Sequence, residues 1–338
     1  MRDCGAAELV LGIDVGGTGS RVALASATDR DAGTAVSDRL GGQSILGTLT
    51  GPRVEIGPEG SSAPIVIRRL VAAARQAWPE PFSRVVGIGI GATGIASLAD
   101  DPTVLAHVIA AEADASTAVT IDAVTAHLGA LRGAGGAIAV LGTGAIAIAH
   151  PGADDGVFAD QWVRVDGWGH LFGDRGGGAW LGRHALEAAL RAHDKVDVRG
   201  AALLAAATGR FGQPSTWPAT FYTRSDRAGL LAEFAADVAT LARLDDPVAV
   251  DLLAEAGREA ARSAVAAAAA VGTIRVALTG GLTRAGEVLS SEFGAEASRL
   301  NPEVSVVESS GDPLSGALTL ARLAAAGGVR PQPGVLWL

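Results

Sequence analysis

The chain has 338 residues, a net charge of −9 at pH 7 and a hydrophobic fraction of 49%. This length allows two domains of ordinary size, each with its own core. No cluster of Lys or Arg is dense enough to neutralise a phosphate backbone, which argues against nucleic acid as a partner. Cys4 is the single cysteine, so the chain alone cannot form a disulfide or a cysteine-ligated metal site.

The sequence shows no export or membrane signal. Residues 1–11 include acidic residues and lack a basic start followed by an apolar stretch. The Ala-rich run at residues 263–271 is far too short to span a membrane. We therefore expect a cytoplasmic protein without a membrane partner.

Two segments of the chain repeat one design. Residues 9–24 and residues 137–149 each contain an apolar run, a turn rich in Gly and Thr, and a second apolar run. β-Branched residues around such a turn predict a β-hairpin, whose exposed backbone N–H groups can bind a phosphate. One hairpin in each half of the chain indicates a duplicated α/β domain.

The rest of the chain alternates between short apolar strands and helical segments, which favours an α/β class with mixed sheets. The further predicted strands cover residues 85–90, 118–121, 273–278 and 304–307. The predicted helices cover residues 125–131, 176–193, 201–207, 229–241, 250–271 and 314–326. We predict a first domain over residues 1–121, with the helix at 313–327 packing back on it, and a second domain over residues 122–312.

Asp14 ends the first predicted strand and faces a turn that contains Gly16, Gly17 and Thr18. Its carboxylate can hold a hydrated Mg²⁺, and the turn amides and the Thr18 hydroxyl can donate hydrogen bonds to phosphate oxygens. The alternative is a plain hairpin in which the Asp14 side chain bonds to its own turn. The residues alone leave both interpretations open.

A second turn, Gly142-Thr143-Gly144, would hold the same phosphates from the opposite side. Taken together, the two turns favour phosphate binding over two plain hairpins. Gly280 and Gly281 follow another predicted strand, and paired glycines there would let an adenine ring lie against the backbone. That last pattern is weak alone, because turns between strands and helices often contain Gly.

Asp122 follows one predicted strand and precedes a predicted helix. A carboxylate in this place suits a general base that accepts the proton of a hydroxyl as its oxygen attacks a γ-phosphorus. The alternative is a helix N-cap, a role compatible with the first.

The densest group of polar residues spans residues 166–178, where glycines alternate with carboxylates, a His and a Trp before a helix begins. Glycines let a ligand approach the backbone, and a helix N-terminus favours an anion. Asp174 can accept two sugar hydroxyls, and Trp168 can limit one face of such a site. The alternative is a long turn in which Asp174 caps the helix and Trp168 fills the core. His170 is more typical of a structural hydrogen-bonding residue than of a catalyst.

In this order the motifs resemble those of the actin-like ATPase superfamily, and within it the N-acetylglucosamine kinase and BadF-type ATPase family. The resemblance runs from Gly12 to about Leu323. It implies a two-domain actin-like (ribonuclease H-like) α/β fold with an interdomain cleft, ATP and Mg²⁺ as cofactors, and an amino sugar phosphorylated at its 6-hydroxyl. The composition, rich in Ala and Gly and with Arg over Lys, is typical of GC-rich bacteria, and the chain resembles actinobacterial glucosamine kinases.

The resemblance also assigns roles to residues. It matches residues 12–18 and 141–144 to the two phosphate motifs, residues 280–281 to the adenosine motif, and Asp122 to the catalytic base. The residues that it matches to sugar contacts are Thr143, Gly167, Trp168 and Asp174, to which we add Ser44, Asp166 and His170 as candidates for substrate binding.

Three positions depart from the family pattern. Asp166 stands where the family usually has glycine, Arg175 where it has glutamate, and the loop at residues 41–45 lacks an asparagine often used against the sugar. A free 2-amino group is a cation near neutral pH, and its burial calls for a carboxylate partner. Because Asp166 beside Trp168 can supply one, we predict glucosamine as the acceptor, with N-acetylglucosamine as the alternative.

Other classes fit less well. An activator of a benzoyl-CoA-type reductase needs cysteines to bridge an iron–sulfur cluster, and Cys4 alone does not provide them. A sugar-responsive repressor would carry a helix-turn-helix before the first strand, and few residues precede Asp14. An actin-like regulatory ATPase without a sugar acceptor stays open, as does association into a homodimer.

Overall fold

A computed structural model of the protein describes residues 7–28, 39–40, 43–57, 60–98 and 101–338. Its strands are β1 Leu9–Val15, β2 Ser20–Ser26, β3 Arg39–Leu40, β4 Gln43–Gly51, β5 Ile56–Gly57, β6 Gly60–Ser61, β7 Val85–Ala92, β8 Ser116–Ile121, β9 Gly136–Leu141, β10 Ala145–His150, β11 Val163–Asp166, β12 Arg275–Thr279, β13 Ser305–Val307 and β14 Leu336–Trp337. Its α-helices are α1 Ala63–Ala77, α2 Pro79–Phe82, α3 Ile95–Leu98, α4 Pro102–Ala113, α5 Asp122–Ala130, α6 Gly178–His193, α7 Ala201–Phe211, α8 Trp217–Tyr222, α9 Arg227–Ala242, α10 Pro247–Ala270, α11 Glu287–Leu300 and α12 Pro313–Ala325. No helix among these residues is long and apolar enough to cross a membrane.

The chain divides into two compact units. The described residues of Met1–Gly136, His150–Trp162 and Ser309–Leu338 form unit 1, and Ala137–Ala149 with Val163–Glu308 form unit 2. This division differs from the predicted boundary after residue 121. The residues that follow this boundary stay in unit 1 because α5 packs against α12, which lies on the sheet of unit 1.

The main sheet of unit 1 has the strand order β14-β8-β7-β1-β2-β4-β3. Strands β1, β7 and β8 run parallel to one another, whereas β2 is antiparallel to β1. The register places Asp14 beside Gly91 and Gly91 beside Thr120. The carboxyl ends of three neighbouring strands therefore lie side by side at one edge of the sheet.

Helix α12 packs directly on β1 and β7, and glycines make this close approach possible. A Cβ added at Gly87 would meet the backbone of Ala321, and one added at Gly89 would meet the backbone of Ala317 and Ala321. Glycine inside a strand often marks a site where another backbone lies against it. The glycines of β7 therefore set the distance between the sheet and α12.

Substitution of Gly89 by Ala is expected to destabilise unit 1. The new methyl group would clash with backbone atoms of α12, and overpacking of a close-packed interior costs about 1–3 kcal/mol. Urea denaturation should show a correspondingly lower free energy of unfolding. The control is Gly209→Ala in α7, where a Cβ meets nothing within 4 Å and helix propensity favours Ala. Equal unfolding midpoints for the two variants would contradict the packing argument.

The sheet of unit 2 has five strands in the order β11-β10-β9-β12-β13. Strands β9 and β10 are joined by the turn at residues 142–144, as the hairpin pattern predicts. Strand β12 is parallel to β9 and β13, and β11 is antiparallel to β10. Helices α6, α9, α10 and α11 contribute to an Ala-rich core that contains Phe234 and Phe293.

The predicted strands and helices are all present, with ends that differ by a few residues. Several elements are not predicted from the sequence, among them β4, α1, α4 and α11. The last strand, β14, is likewise not predicted from the sequence.

Candidate active site

Three polar residues gather at the carboxyl ends of β1, β7 and β8. Asp14 lies in β1, Thr93 follows β7, and Asp122 begins α5 directly after β8. The Thr93 backbone N–H donates to the Val15 carbonyl at 2.9 Å, and the Thr93 hydroxyl donates to the Asp122 carboxylate. The structure thus brings the predicted metal residue and the predicted base to one sheet edge, together with a threonine that the sequence analysis did not select.

The environment of Asp122 changes its acidity. Burial is the largest cause and raises the pKa of Asp122 from 3.8 to about 6, and the negative charge of Asp14 acts in the same direction. Hydrogen bonds from the Thr93 hydroxyl and the Ala123 backbone N–H lower the pKa by less. Ile121, not Asp122, occupies the N-cap position of α5. A carboxyl group with this pKa is mostly ionised at neutral pH and can accept a proton from a hydroxyl.

Arg21 links two carboxylates of unit 1. It stands opposite Asp14 in the β1–β2 hairpin, and its guanidinium nitrogens lie 2.8 Å from Asp14 Oδ2 and 2.7 Å from Asp312 Oδ2. Asp312 also caps α12, since its Oδ1 accepts from the Ser315 N–H at 2.9 Å. Burial raises the pKa of Asp14, and the adjacent Arg21 opposes that shift. Arg21 therefore favours the ionised form of Asp14.

The turn after Asp14 is open at its tip. The Gly16 N–H donates to the Gly19 carbonyl at 2.9 Å, which closes the turn. Gly17 and Thr18 are exposed, and a Cβ added at Gly17 would meet nothing within 4 Å. This geometry suits both the predicted phosphate contact and a plain hairpin, so phosphate binding here stays a prediction.

The corresponding turn of unit 2 is held by helix α6. The carbonyls of Gly142 and Thr143 accept from the N–H groups of Gly178 and Ala179 at 2.9 and 2.8 Å. The prediction that this helix N-terminus would bind an anion is therefore wrong for these two donors, which are already used. Gly142 and Thr143 are themselves exposed at the tip of the turn.

Gly280 lies next to this turn. The parallel register of β12 and β9 pairs Thr279 with Val140, so Gly280 follows beside Leu141. Gly280 has a φ of 102°, and a Cβ there would meet the Leu141 backbone, which explains the need for glycine. A Cβ at Gly281 would meet nothing within 4 Å. The structure therefore brings the predicted adenosine and phosphate turns of unit 2 to the same edge of its sheet.

Asp166 and Asp174 hold the backbone of the segment that contains them. Asp166 is 6% exposed, and its two carboxylate oxygens accept from the N–H groups of Asp174 at 3.0 Å and Arg175 at 2.8 Å. The Arg175 guanidinium lies 3.6 Å from the same carboxylate. The Asp174 Oδ1 in turn accepts from the Gly169 N–H at 3.0 Å, and burial raises the pKa of Asp174. Asp166 is therefore engaged within the protein, contrary to the expectation of a carboxylate left for a ligand.

The remaining predicted substrate residues have different surroundings. Trp168 is 67% exposed, so the alternative that it fills the core is wrong, and the Arg164 guanidinium lies 4.7 Å from its ring centroid. His170 Nε2 is buried without a hydrogen-bond partner in the described part of the chain, and burial lowers the pKa of His170. The backbone of Ser44 pairs with Arg39 between β4 and β3. Gly41, Gly42 and Cys4 lie outside the described residues.

The donor set at Asp14 fits a hydrated Mg²⁺. The residues that the structure describes contain no group of three or more His, Cys, Asp or Glu able to hold a metal ion. Mg²⁺ needs no such group, because it keeps several waters and binds through one or two carboxylates and the phosphates of a nucleotide. Asp14 Oδ2 accepts from Arg21, which leaves Oδ1 for a water of the ion.

The sequence matches the profile of the BadF/BadG/BcrA/BcrD ATPase family over residues 11–321. The chain belongs to this family. The match confirms the family predicted from the order of the motifs. No curated protein matches the sequence.

Solved structures share the fold over nearly the whole chain. A candidate N-acetylglucosamine kinase from Chromobacterium violaceum is 25% identical, with 93% of this chain and 99% of that chain covered and a TM-score of 0.65. A candidate N-acetylglucosamine kinase from Porphyromonas gingivalis is 18% identical, with 93% and 98% covered and a TM-score of 0.64. A ROK family glucokinase from Streptomyces griseus, solved with glucose and AMPPNP, is 20% identical, with 94% and 100% covered and a TM-score of 0.57. These likenesses confirm the predicted actin-like α/β fold.

Proposed function

We propose that this protein is an ATP-dependent sugar kinase that transfers the γ-phosphate of ATP to the 6-hydroxyl of an amino sugar. The observation that carries the proposal is Asp122, a half-buried carboxyl group with a pKa of about 6 beside Asp14 at the edge of the sheet. Membership of an ATPase family supports the use of ATP. The likeness to a candidate N-acetylglucosamine kinase over nearly the full length of both chains supports the acceptor class.

The carboxylates and glycine-rich turns at the sheet edges have distinct roles in this reaction. Asp122 accepts the proton of the sugar hydroxyl as its oxygen attacks the γ-phosphorus. The backbone amides at residues 17–18 and 143–144 donate to phosphate oxygens, since the Gly16 and Gly142 N–H groups close their own turns. Residues 280–281 face the adenine. Asp14 would hold hydrated Mg²⁺, which neutralises phosphate charge when it is bound. Arg21 favours the ionised form of Asp14 and fixes its orientation.

The surroundings of Asp166 bear on the choice between the two amino sugars. The prediction of glucosamine rests on Asp166 as the partner of a protonated 2-amino group. Because both oxygens of the buried Asp166 carboxylate accept backbone N–H groups, Asp166 acts on a ligand through the position of Asp174. Glucosamine and N-acetylglucosamine therefore both stay candidate acceptors. Asp174 also accepts backbone N–H groups, from Gly169 and Ala145, but it is half-exposed and is the carboxylate that can meet the sugar hydroxyls.

Asp166→Asn is expected to raise the KM of both amino sugars about tenfold, the effect of losing one hydrogen bond to a buried donor. An amide offers one acceptor oxygen, so the Asp174 and Arg175 N–H groups can no longer both be satisfied. The KM of ATP should stay unchanged. The control is Asp194→Asn at the exposed end of α6. A loss confined to glucosamine would restore Asp166 as the partner of the amine.

The proposed function is tested by measuring ADP release with glucosamine, N-acetylglucosamine, glucose or no sugar. The product should be a 6-phosphate, identified by its ³¹P–¹H correlations in NMR spectra. The rival is a regulatory ATPase without a sugar acceptor, which would hydrolyse ATP at one rate in all four reactions. That result, without any phosphosugar, would refute the kinase proposal.

A further inference from the structure

The chain continues past the family match, which ends at residue 321, into a terminal segment that we define as residues 327–338. Within it, β14 pairs antiparallel with β8, which places Leu336 opposite Thr120 and Trp337 opposite Val119. The Ile121 N–H donates to the Val335 carbonyl at 3.1 Å. Ile121 is the residue directly before Asp122. The terminal segment therefore holds the end of the strand that leads into the proposed base.

The same segment is also linked to α5, the helix that begins at Asp122. The link runs through Gln332. The Gln332 side chain accepts a hydrogen bond from the backbone N–H of Trp162 at 2.9 Å and donates one to the Trp162 backbone carbonyl at 2.8 Å. The buried Trp162 ring packs edge-on against His127 of α5, with 5.0 Å between ring centroids. His127 Nε2 bonds to the Gly136 carbonyl at 2.9 Å. Gln332 thus holds a residue whose ring packs against α5.

The pairing of β14 with β8 and the hydrogen bonds of Gln332 to Trp162 are linked within the terminal segment. The Gln332 N–H donates to the Leu336 carbonyl at 2.9 Å, and the Leu336 N–H donates to the Gln332 carbonyl at 2.9 Å. The Leu336 side chain is 1% exposed, so apolar burial keeps the strand in place. One small turn therefore fixes both β8 and α5, the two elements that meet at Asp122.

We propose that the terminal segment is a positioning element for Asp122, with Gln332 and Leu336 as its positioning residues. Neither residue touches a substrate, and both act through the junction of β8 and α5. The inference rests on the proposed function, because the role of Asp122 as base gives its position a catalytic meaning. A misplacement of about 1 Å at a reacting group can cost about 100-fold in rate, so a small shift of this junction is enough.

A purely structural role is the competing explanation, since β14 also covers the unpaired edge of β8. That role alone predicts lower stability and less folded protein. It predicts an unchanged kcat for each folded molecule. A fall in kcat at an unchanged KM of ATP therefore indicates a positioning role, whereas an unchanged kcat indicates a purely structural one.

The test uses two full-length variants, Gln332→Ala and Leu336→Asp. We expect kcat for the sugar to fall about tenfold in the first and about 100-fold in the second, with the KM of ATP within about twofold of the original value. The matched controls are Gln76→Ala, on an exposed face of α1, and Leu46→Asp, on the exposed side of β4. An unchanged kcat in both folded test variants would overturn the proposal. If Leu336→Asp does not fold, Gln332→Ala decides alone.

Amide hydrogen exchange gives a readout that does not require activity. In Leu336→Asp the Ile121 and Ala123 amides should exchange faster than in the Leu46→Asp control, because the junction has lost its partner strand. If the unaltered protein phosphorylates no sugar, the proposed function fails on that result. The positioning inference is then decided by exchange, and equal protection of the two amides in both variants would overturn it.

Discussion

Replacement of Asp122 by Asn is expected to lower kcat by about 10²–10⁴-fold, the usual contribution of a general base. The amide has nearly the shape of the carboxylate and can still accept from the Thr93 hydroxyl, but it cannot take up a proton. The KM of ATP should change little, because no phosphate contact is assigned to this side chain. The steady-state rate with the preferred sugar and the affinity for ATP measured by calorimetry check both parts.

The same variant is expected to be more stable than the original protein at pH 7. Burial raises the pKa of Asp122 from 3.8 to about 6, so the folded state opposes its ionisation. As the pH rises through this window, folding loses free energy on the order of 3 kcal/mol, which the neutral Asn does not lose. Urea denaturation at pH 7 and at pH 4 checks the sign, and the advantage should vanish at the lower pH.

A loss of rate together with a gain in stability excludes misfolding as the cause. The control is Asp160→Asn, an exposed carboxylate of unit 1, which should change neither quantity. A kcat close to that of the original protein would remove Asp122 from the role of base and, with it, the main support for the kinase proposal.

The parts of the fold that the sequence predicts are those that local patterns determine. Apolar runs around Gly- and Thr-rich turns predict both hairpins, and β1–β2 and β9–β10 are where those patterns place them. The position of Asp122 between a strand and a helix follows in the same way. Arg21 is also within reach of such reasoning, because it stands opposite Asp14 across a four-residue turn.

Partners that are distant in sequence have no local signal. Arg21 meets Asp312 across 291 positions, and Gln332 meets Trp162 across 170. Asp166 was interpreted as a ligand because its type is unusual for the family, whereas its hydrogen bonds to the Asp174 and Arg175 N–H groups emerge only from the folded turn. Residue type indicates which chemistry is available, and the fold decides which groups are already satisfied.

The pH dependence of kcat/KM gives the second large effect, an acid limb near pH 6. Asp122 must be ionised to accept a proton, and its pKa of about 6 means that activity is full above this value. Below it, kcat/KM should fall about tenfold for each pH unit, since the ionised fraction falls in that proportion. Initial rates between pH 4.5 and pH 8 would show this limb.

Thr93→Val should move this limb to higher pH. The Thr93 hydroxyl stabilises the ionised carboxylate by donating a hydrogen bond to it, and Val has the same shape without the donor. Loss of the bond raises the pKa of Asp122, so the variant is less active than the original protein at pH 6 and approaches it at pH 8. Thr48→Val, at an exposed position of β4, should leave the profile unchanged. A limb that stays in place in Thr93→Val, or moves to lower pH, would mean that a group other than Asp122 limits the reaction in acid.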